Sequence, residues 1–257
     1  MAKGVVDINC DMGEGFGAYD IGDDRTVIQY ISSANIACGY HAGDPVVMER
    51  TMRLAFAHGV GIGAHPGLPD LQGFGRRKMD LSLQEARLMI LYQLGAAREI
   101  AESIGATVDH IKLHGQFSDM ALHSEELAGA VVDAIADADP SLILVTRSGG
   151  ILHRLGETRG LRVAREVFAD RAYQRDGTGV PRRLPGALIT DAHEAARRVV
   201  RMLTDHLVET VDGQTYPVEP HTVCVHGDTP GATGILAAVR EAVLDAGFEV
   251  RPIKDWL

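Results

Sequence analysis

Short apolar runs alternate along this chain with longer stretches in which apolar residues recur every three or four positions. The short runs cover residues 5–10, 34–38, 59–64, 108–113, 142–145, 161–167, 222–225 and 248–250. Most are too apolar to alternate cleanly, as expected of strands covered on both faces. Between them the helical stretches carry readable ends. Ser82-Leu83-Gln84-Glu85 is a capping box opening a run with Leu83, Ala86, Ile90, Leu94, Ala97 and Ala101 at helical spacing. Asp44-Pro45 supplies an N-cap and a first-turn proline before Met48, Met52 and Ala55. Asp191, with Glu194 three residues on, opens a helix predicted to run to Leu207, and Thr229-Pro230 opens one closing at Ala246-Gly247.

Strand and helix alternating throughout predict an α/β fold with a parallel sheet. Seven or eight such units without a Pro/Ser linker predict one (β/α) barrel over residues 1–257 rather than two domains. Residues 169–185, rich in Arg, Gly and Pro, lack periodicity, and a long loop in a compact domain is often a lid or a site wall.

Composition narrows the partners. Of 257 residues, 25 are Lys or Arg and 35 Asp or Glu, a formal charge of −10. With no basic run, nucleic acid and anionic membranes are poor partners, because both need clustered cations. The opening residues, Met1-Ala2-Lys3-Gly4, lack the apolar stretch of a signal peptide, and no uncharged run approaches the roughly 20 residues of a membrane span. Cys10, Cys38 and Cys224 lie in apolar runs with no CxxC, a reduced, cytoplasmic usage in which they read as packing residues.

The candidate chemistry collects at strand ends. Asp7, Asn9 and Asp11 surround the end of the first run, and Asn35 and His41 the second. His65 follows the third, Lys112 and His114 end the fourth, Glu166 the sixth, and His226 with Asp228 the seventh. Carboxyl ends of parallel barrel strands converge on one mouth, where active sites of such barrels sit. The other histidines, His110 among them, fall before strand ends or on helices and turns and receive no role. Asp44 is explained by its cap, whereas Asp228 is freer, because Thr229 stands ready to cap the last helix.

Gly13-Glu14-Gly15-Phe16-Gly17-Ala18 formally fits a dinucleotide fingerprint, but Asp11 and Glu14 would repel a pyrophosphate, so it reads as an acidic loop at the mouth. There is no Walker pattern, no H-E-x-x-H and no G-x-S-x-G. Carboxylates with several imidazoles can activate water directly or hold a divalent metal that does so. Lys112 offers a cation for an oxyanion or a substrate carboxylate. Arg76, Arg77 and Arg171, the last beside Asp170, add guanidinium forks suited to carboxylates, unless Arg76 and Arg77 are surface arginines paired with solvent. The chemistry alone points to a hydrolase acting on a small carboxylated amide.

At these residues the chain resembles a known family. Asp7-Ile8-Asn9-Cys10-Asp11-Met12-Gly13-Glu14, Ser33-Ala34-Asn35-Ile36-Ala37-Cys38-Gly39-Tyr40-His41-Ala42-Gly43-Asp44-Pro45 and Gly63-Ala64-His65-Pro66-Gly67 are similar to motifs of the lactam-utilisation (LamB/YcsF) family. So are Gly73-Phe74-Gly75-Arg76-Arg77, Tyr92-Gln93-Leu94-Gly95-Ala96, Glu166-Val167-Phe168-Ala169-Asp170-Arg171 and Val225-His226-Gly227-Asp228. The family includes one component of bacterial 5-oxoprolinase. The resemblance implies a glycoside hydrolase/deacetylase-like barrel and ATP-dependent opening of 5-oxoproline to glutamate with two partner subunits. ATP would then be used through those partners, in keeping with the missing phosphate loop.

One departure stands out. Where the family usually reads Lys-Pro-His-Gly-Ala-Leu-Tyr-Asn, this chain has Lys112-Leu113-His114-Gly115-Gln116-Phe117-Ser118-Asp119, which adds a negative charge near the mouth and bears on which lactam or amide is accepted. Asp11 or His41 is expected to activate water, and Lys112 and His114 to stabilise the oxyanion or protonate the leaving nitrogen. Glu166 and the His226/Asp228 pair would orient them. Asn9, Asn35, His65, Arg76, Arg77, Asp170 and Arg171, with His226 and Asp228, are expected to bind the small anionic substrate. A metal-dependent, ATP-independent amidase or deacetylase is the competing reading, with the divalent metal left open. A non-catalytic scaffold subunit is the third, and homo-oligomerisation is left open.

Overall fold

In the computed structural model, which describes residues 3–257, the strands close on themselves. Strands β1 (Gly4–Met12), β2 (Ser33–Ala37), β3 (Gly61–His65), β4 (His110–Lys112), β5 (Ile143–Arg147) and β6 (Arg162–Phe168) run side by side, all parallel. Outside the barrel, β7 (Leu207–Glu209) and β8 (Thr215–Pro217) form an antiparallel hairpin that the sequence pattern did not suggest. Strand β9 (Thr222–Val225) then pairs with both β6 and β1, so that seven strands close the barrel. The eighth, β10 (Phe248–Val250), pairs only with Gly4–Val6 at the start of β1 and takes no part in closure.

The helices are α1 (Asp24–Val27), α2 (Pro45–Ala57), α3 (Leu83–Ser103), α4 (Gly115–Leu122), α5 (Glu125–Ala138), α6 (Ile151–Thr158), α7 (Ala192–Thr204) and α8 (Ala232–Asp245). Asp44 caps α2, Ser82 and Glu85 form the reciprocal box at α3, and Asp191 caps α7. Two expected ends move. Helix α7 stops at Thr204 rather than Leu207, and α8 starts at Ala232 behind Gly231, whose φ of +79° suits glycine. Thr229 caps nothing, because its hydroxyl donates to Asp170 at 2.5 Å. The outward residues of the strands, such as Ile8, Cys10, Ile36, Ile111 and Val223, pack with the helices in one apolar layer.

The inside of the barrel is different. Parallel barrels are usually filled by Val, Ile and Leu, but here the inward positions are mostly polar. Asp7 accepts from Ser32 and Ser33 at 2.7 Å each and from Thr222 at 2.5 Å. Asn9 accepts from Asn35 at 2.7 Å and donates to Thr222 at 2.7 Å and Glu166 at 3.1 Å. The network is built at period two along each strand, which is why it escapes a reading confined to strand ends. Its apolar remainder, Ile143, Val145 and Ala164, packs against Ile253 in the 3-10 turn Ile253–Asp255, so the C-terminal segment plugs the end of the barrel away from the mouth.

Gly63 makes room for this packing. A Cβ there would overlap the His110 ring, which crosses the barrel to reach Asn35 Oδ1 at 3.0 Å. Gly63→Ala should therefore cost about 2–3 kcal/mol by overpacking, read as a lower urea midpoint at unchanged m.

Burial pushes the Asp7 carboxyl up to about 6 against the hydroxyl donors that stabilise its charge. Because the folded-state value is raised, this group favours the fold fully at acid pH. That contribution is lost as pH climbs from about 4 towards about 6, a change of about 3 kcal/mol. Asp7→Asn keeps the acceptor for both serines and carries no charge. The stability difference between wild type and this variant should slope across that window and be flat outside it, as measured by denaturation at stepped pH.

Candidate active site

The mouth at the carboxyl ends of the strands opens into a cavity of about 700 Å3. Its floor comprises Asp11, His65, Lys112, His114, Glu166 and His226. The Lys112 ammonium, nearly buried, lies 3.0 Å from Asp11 Oδ1, 2.8 Å from Glu166 Oε1 and 3.1 Å from Cys224 Sγ. Burial alone would lower the Lys112 amine, but Asp11, Cys224 and Glu166 hold it well above its ordinary value. Burial would raise the Asp11 carboxyl, yet His65 and Lys112 keep it well below the carboxylate range. Cys224 is thus not a mere packing residue: burial pushes its thiol well above the usual range beside that ammonium. Cys10 and Cys38 do pack in the apolar layer.

Beside this floor stand three histidines. His41 and His114 stack in parallel, centroids 3.6 Å apart at 4°, and His65 meets both edge-on. Gly75 permits the stack, since at φ +63° a Cβ would lie 2.7 Å from His41 Cβ and 2.8 Å from His114 Cδ2. Two carbonyls fix the tautomers. His65 Nδ1 donates to Lys112 O at 2.7 Å and His114 Nε2 donates to Phe74 O at 2.8 Å, because a carbonyl only accepts. Phe74 holds that carbonyl from a left-handed conformation, φ 54°, rare for a bulky residue. The facing nitrogens, His65 Nε2 and His114 Nδ1, are left 3.1 Å apart with both lone pairs inward. That arrangement requires a shared proton or a cation between them. Two carboxyl groups stand by: Asp11 Oδ2 is 3.4 Å from His65 Nε2, and Glu14 Oε1 is 3.7 Å from His114 Nδ1. Glu14, His41, His65 and His114 form one buried group in which one donor atom of each lies within 4.8 Å of the others.

Across the floor, Asp170 is fully buried and accepts from His226 Nδ1 at 2.9 Å and from Thr229. Burial would raise its carboxyl, but His226, Thr229 and Arg182 hold it down. The His226 ring stacks on Phe168, centroids 5.3 Å apart, and lines the cavity.

Several expected positions are corrected. His41 has 0% exposure and sits behind His114, where burial pushes it well below the usual histidine range, so it does not meet a cavity water. Asn9 and Asn35 lie in the barrel network below the floor. Arg77 points away, 64% exposed and paired with Asp70. Asp170 orients His226 and does not line the cavity, while Asp228 bridges Arg76 at 2.6 Å and Arg182 at 3.3 Å. Arg76 and Arg171 do line the cavity, and Gln174, Thr178, Gly179, Pro181, Arg182 and Arg183 of the aperiodic segment wall it.

Sequence reasoning missed Glu14, His110 and Cys224. A period-two count back from Lys112 and His226 finds the last two. Glu14 stood in plain view three residues beyond Asp11, but was weighed only as a charge against phosphate.

The chain matches the LamB/YcsF family model over residues 6–257. It is 50% identical over 252 residues to a 5-oxoprolinase subunit from Pyrococcus abyssi, covering 98% of this chain and 99% of that protein. The crystal structure of the lactam utilization protein from Thermus thermophilus is 45% identical, covers 96% of this chain and 98% of its own, and superposes with a TM-score of 0.90. At 10% identity and a TM-score of 0.52, the catalytic domain of a peptidoglycan N-acetylglucosamine deacetylase from Eubacterium rectale covers 98% of this chain and 89% of its own and shares the fold alone.

Proposed function

This chain belongs to the LamB/YcsF family, and we propose that it is the hydrolytic subunit of an ATP-dependent 5-oxoprolinase, opening 5-oxo-L-proline to L-glutamate. The observation that carries the reading is the pairing, across one cavity, of an oriented imidazole, His226 on Asp170, with the buried Lys112 ammonium. The names of close relatives support the lactam.

His226 Nε2 takes the proton of an attacking water, and Asp170 fixes the ring for that task. Lys112 stabilises the oxyanion that forms at the lactam carbonyl. The C–N bond then breaks and the ring nitrogen leaves with the proton shared by His65 and His114. The proton on His226 returns to that pair through solvent. Asp11, held ionised between Lys112 and His65, balances the charge rather than acting as base, so the base moves from the two candidates named on sequence to His226. Partner subunits supply the ATP chemistry, for the chain has no phosphate loop. Three unpaired buried cysteines support a reducing, cytoplasmic setting, and no helix among the described residues is long and apolar enough to cross a membrane.

The test is glutamate release from 5-oxoproline and ATP by the assembled subunits. Release that depends on this chain supports the assignment, whereas a folded chain in a complete assembly that releases none overturns it.

A second reading rests on the bare, facing nitrogens of His65 and His114. With Glu14 and Asp11 alongside, this N/O donor set fits a divalent transition ion. His41, stacked parallel to His114, cannot aim its in-plane lone pair at the same point. Bound there, an ion would act as a Lewis acid on an amide carbonyl. Metal analysis of the purified chain separates the readings: a stoichiometric ion lost in His65→Ala, together with amide hydrolysis lacking ATP, would favour a metal-dependent amidase or deacetylase.

A further inference from the structure

The floor of the cavity is close to electrically balanced, but its outer half is not. Five guanidinium groups, of Arg76, Arg147, Arg171, Arg182 and Arg183, line it. Among the described residues only two carboxylates form salt bridges with them: Asp119 pairs with Arg147 at 2.6 Å, and Asp228 is shared by Arg76 and Arg182, while Asp170, already engaged by His226, acts on Arg171 and Arg182 from beyond salt-bridge distance. Three positive charges are left without a salt-bridged counter-charge in a protein whose formal charge is −10. Arg183 has no ionic partner among the described residues. Arg171 is held by one bond to Val180 O at 2.6 Å, and its Nε is buried without a partner. Burial, with Arg182 and Arg147 close by, pushes the Arg171 guanidinium down to about 10, an unfavourable grouping in the free protein.

A protein keeps like charges together in a concave, half-buried site when an anion is to join them. The carboxylate of the proposed lactam accounts for one of the three; the other two match a dianion. Tetrahedral oxyanions suit guanidinium forks, which meet them with paired N–H bonds. Space allows it: cavities of about 300–1,000 Å3 hold ligands far larger than a five-membered lactam, and this one measures about 700 Å3.

From the cluster of Arg147, Arg171, Arg182 and Arg183 on the outer wall, we infer a second anion subsite that takes a phosphoryl dianion while the floor holds the amide. The inference borrows from the proposed function only the substrate's single carboxylate, and its test needs neither turnover nor partner subunits.

The probes are inorganic phosphate and methyl phosphate, titrated calorimetrically into the purified chain at low and moderate salt, with chloride and acetate as controls. Saturable binding that weakens with salt is expected for wild type and for Arg53→Gln, an exposed charge on α2. Affinity should fall about tenfold in each of Arg171→Gln and the double variant Arg182→Gln/Arg183→Gln, as loss of charge-assisted hydrogen bonds implies. Tighter binding of methyl phosphate assigns the subsite to a phosphoryl group carried on another molecule, and tighter binding of inorganic phosphate to the free ion. The double variant alters exposed and half-buried positions, so it remains informative if Arg171→Gln misfolds. Equal affinity in the folded double variant and wild type, or no binding beyond the acetate control, overturns the subsite. A full phosphate response in a chain that never opens the lactam would instead sink only the proposed substrate.

Discussion

Lys112→Met is expected to be the most destabilising single substitution in the barrel, by about 3–5 kcal/mol near pH 8, because it leaves the Asp11 and Glu166 carboxylates buried without their cation. Methionine retains much of the apolar stem, so the loss reports charge more than volume. The direction with pH is diagnostic. In wild type the Lys112 value is raised, so its contribution is complete at every pH below the ordinary lysine range and fades only in strong alkali. In the variant Asp11 loses the Lys112 cation that helps hold its carboxyl down, so its anion is destabilised and its folded-state value rises. The deficit should therefore shrink as pH is lowered towards 5 and Asp11 takes up a proton. Denaturation of both proteins at pH 5 and pH 8 measures this. A deficit that stays constant would mean that packing, not charge, was lost. The exposed pair Arg53–Glu49 on α2 supplies the contrast, since Arg53→Met should cost under about 1 kcal/mol.

That contrast also explains what the sequence could disclose. The parallel barrel was legible because its strands were short apolar runs and several long helices carried their own caps, as at Asp44, Ser82 and Asp191. The mouth was legible for a topological reason: parallel strands bring their carboxyl ends together whatever lies between them. Chain direction does not fix depth. His41 and His114 both follow strand ends, yet one ring lies behind the other, in space that Gly67 leaves beside His41 and Gly75 beside both rings. Pairing across the sequence was equally hidden. Nothing in the local pattern joins Asp170 to His226, 56 residues away, or Arg76 to Asp228, 152 residues away. The polar barrel interior went unread because its strands look uniformly apolar until every second residue is counted.

His226→Ala should leave the fold intact and lower turnover by about 10²–10⁴, with little change in KM, since the ring acts on water rather than on the substrate's carboxylate. Its neighbours are consistent with a small structural cost: the ring stacks on Phe168 at the cavity surface and bonds only to Asp170. Added imidazole should restore part of the rate in the vacated space, an effect a purely structural residue would not show. Asp170→Asn tests the orienting role separately. An amide can offer the ring an oxygen or a nitrogen, and in the second case it turns the imidazole to the tautomer whose cavity-facing nitrogen already carries a proton. Turnover should then fall without rescue by imidazole, because the site is still filled. Glutamate release by the assembled subunits under saturating 5-oxoproline and ATP reads both. A His226→Ala protein that folds and keeps more than about a tenth of the wild-type rate would remove His226 as the base, and with it the geometric reason for preferring it to Asp11.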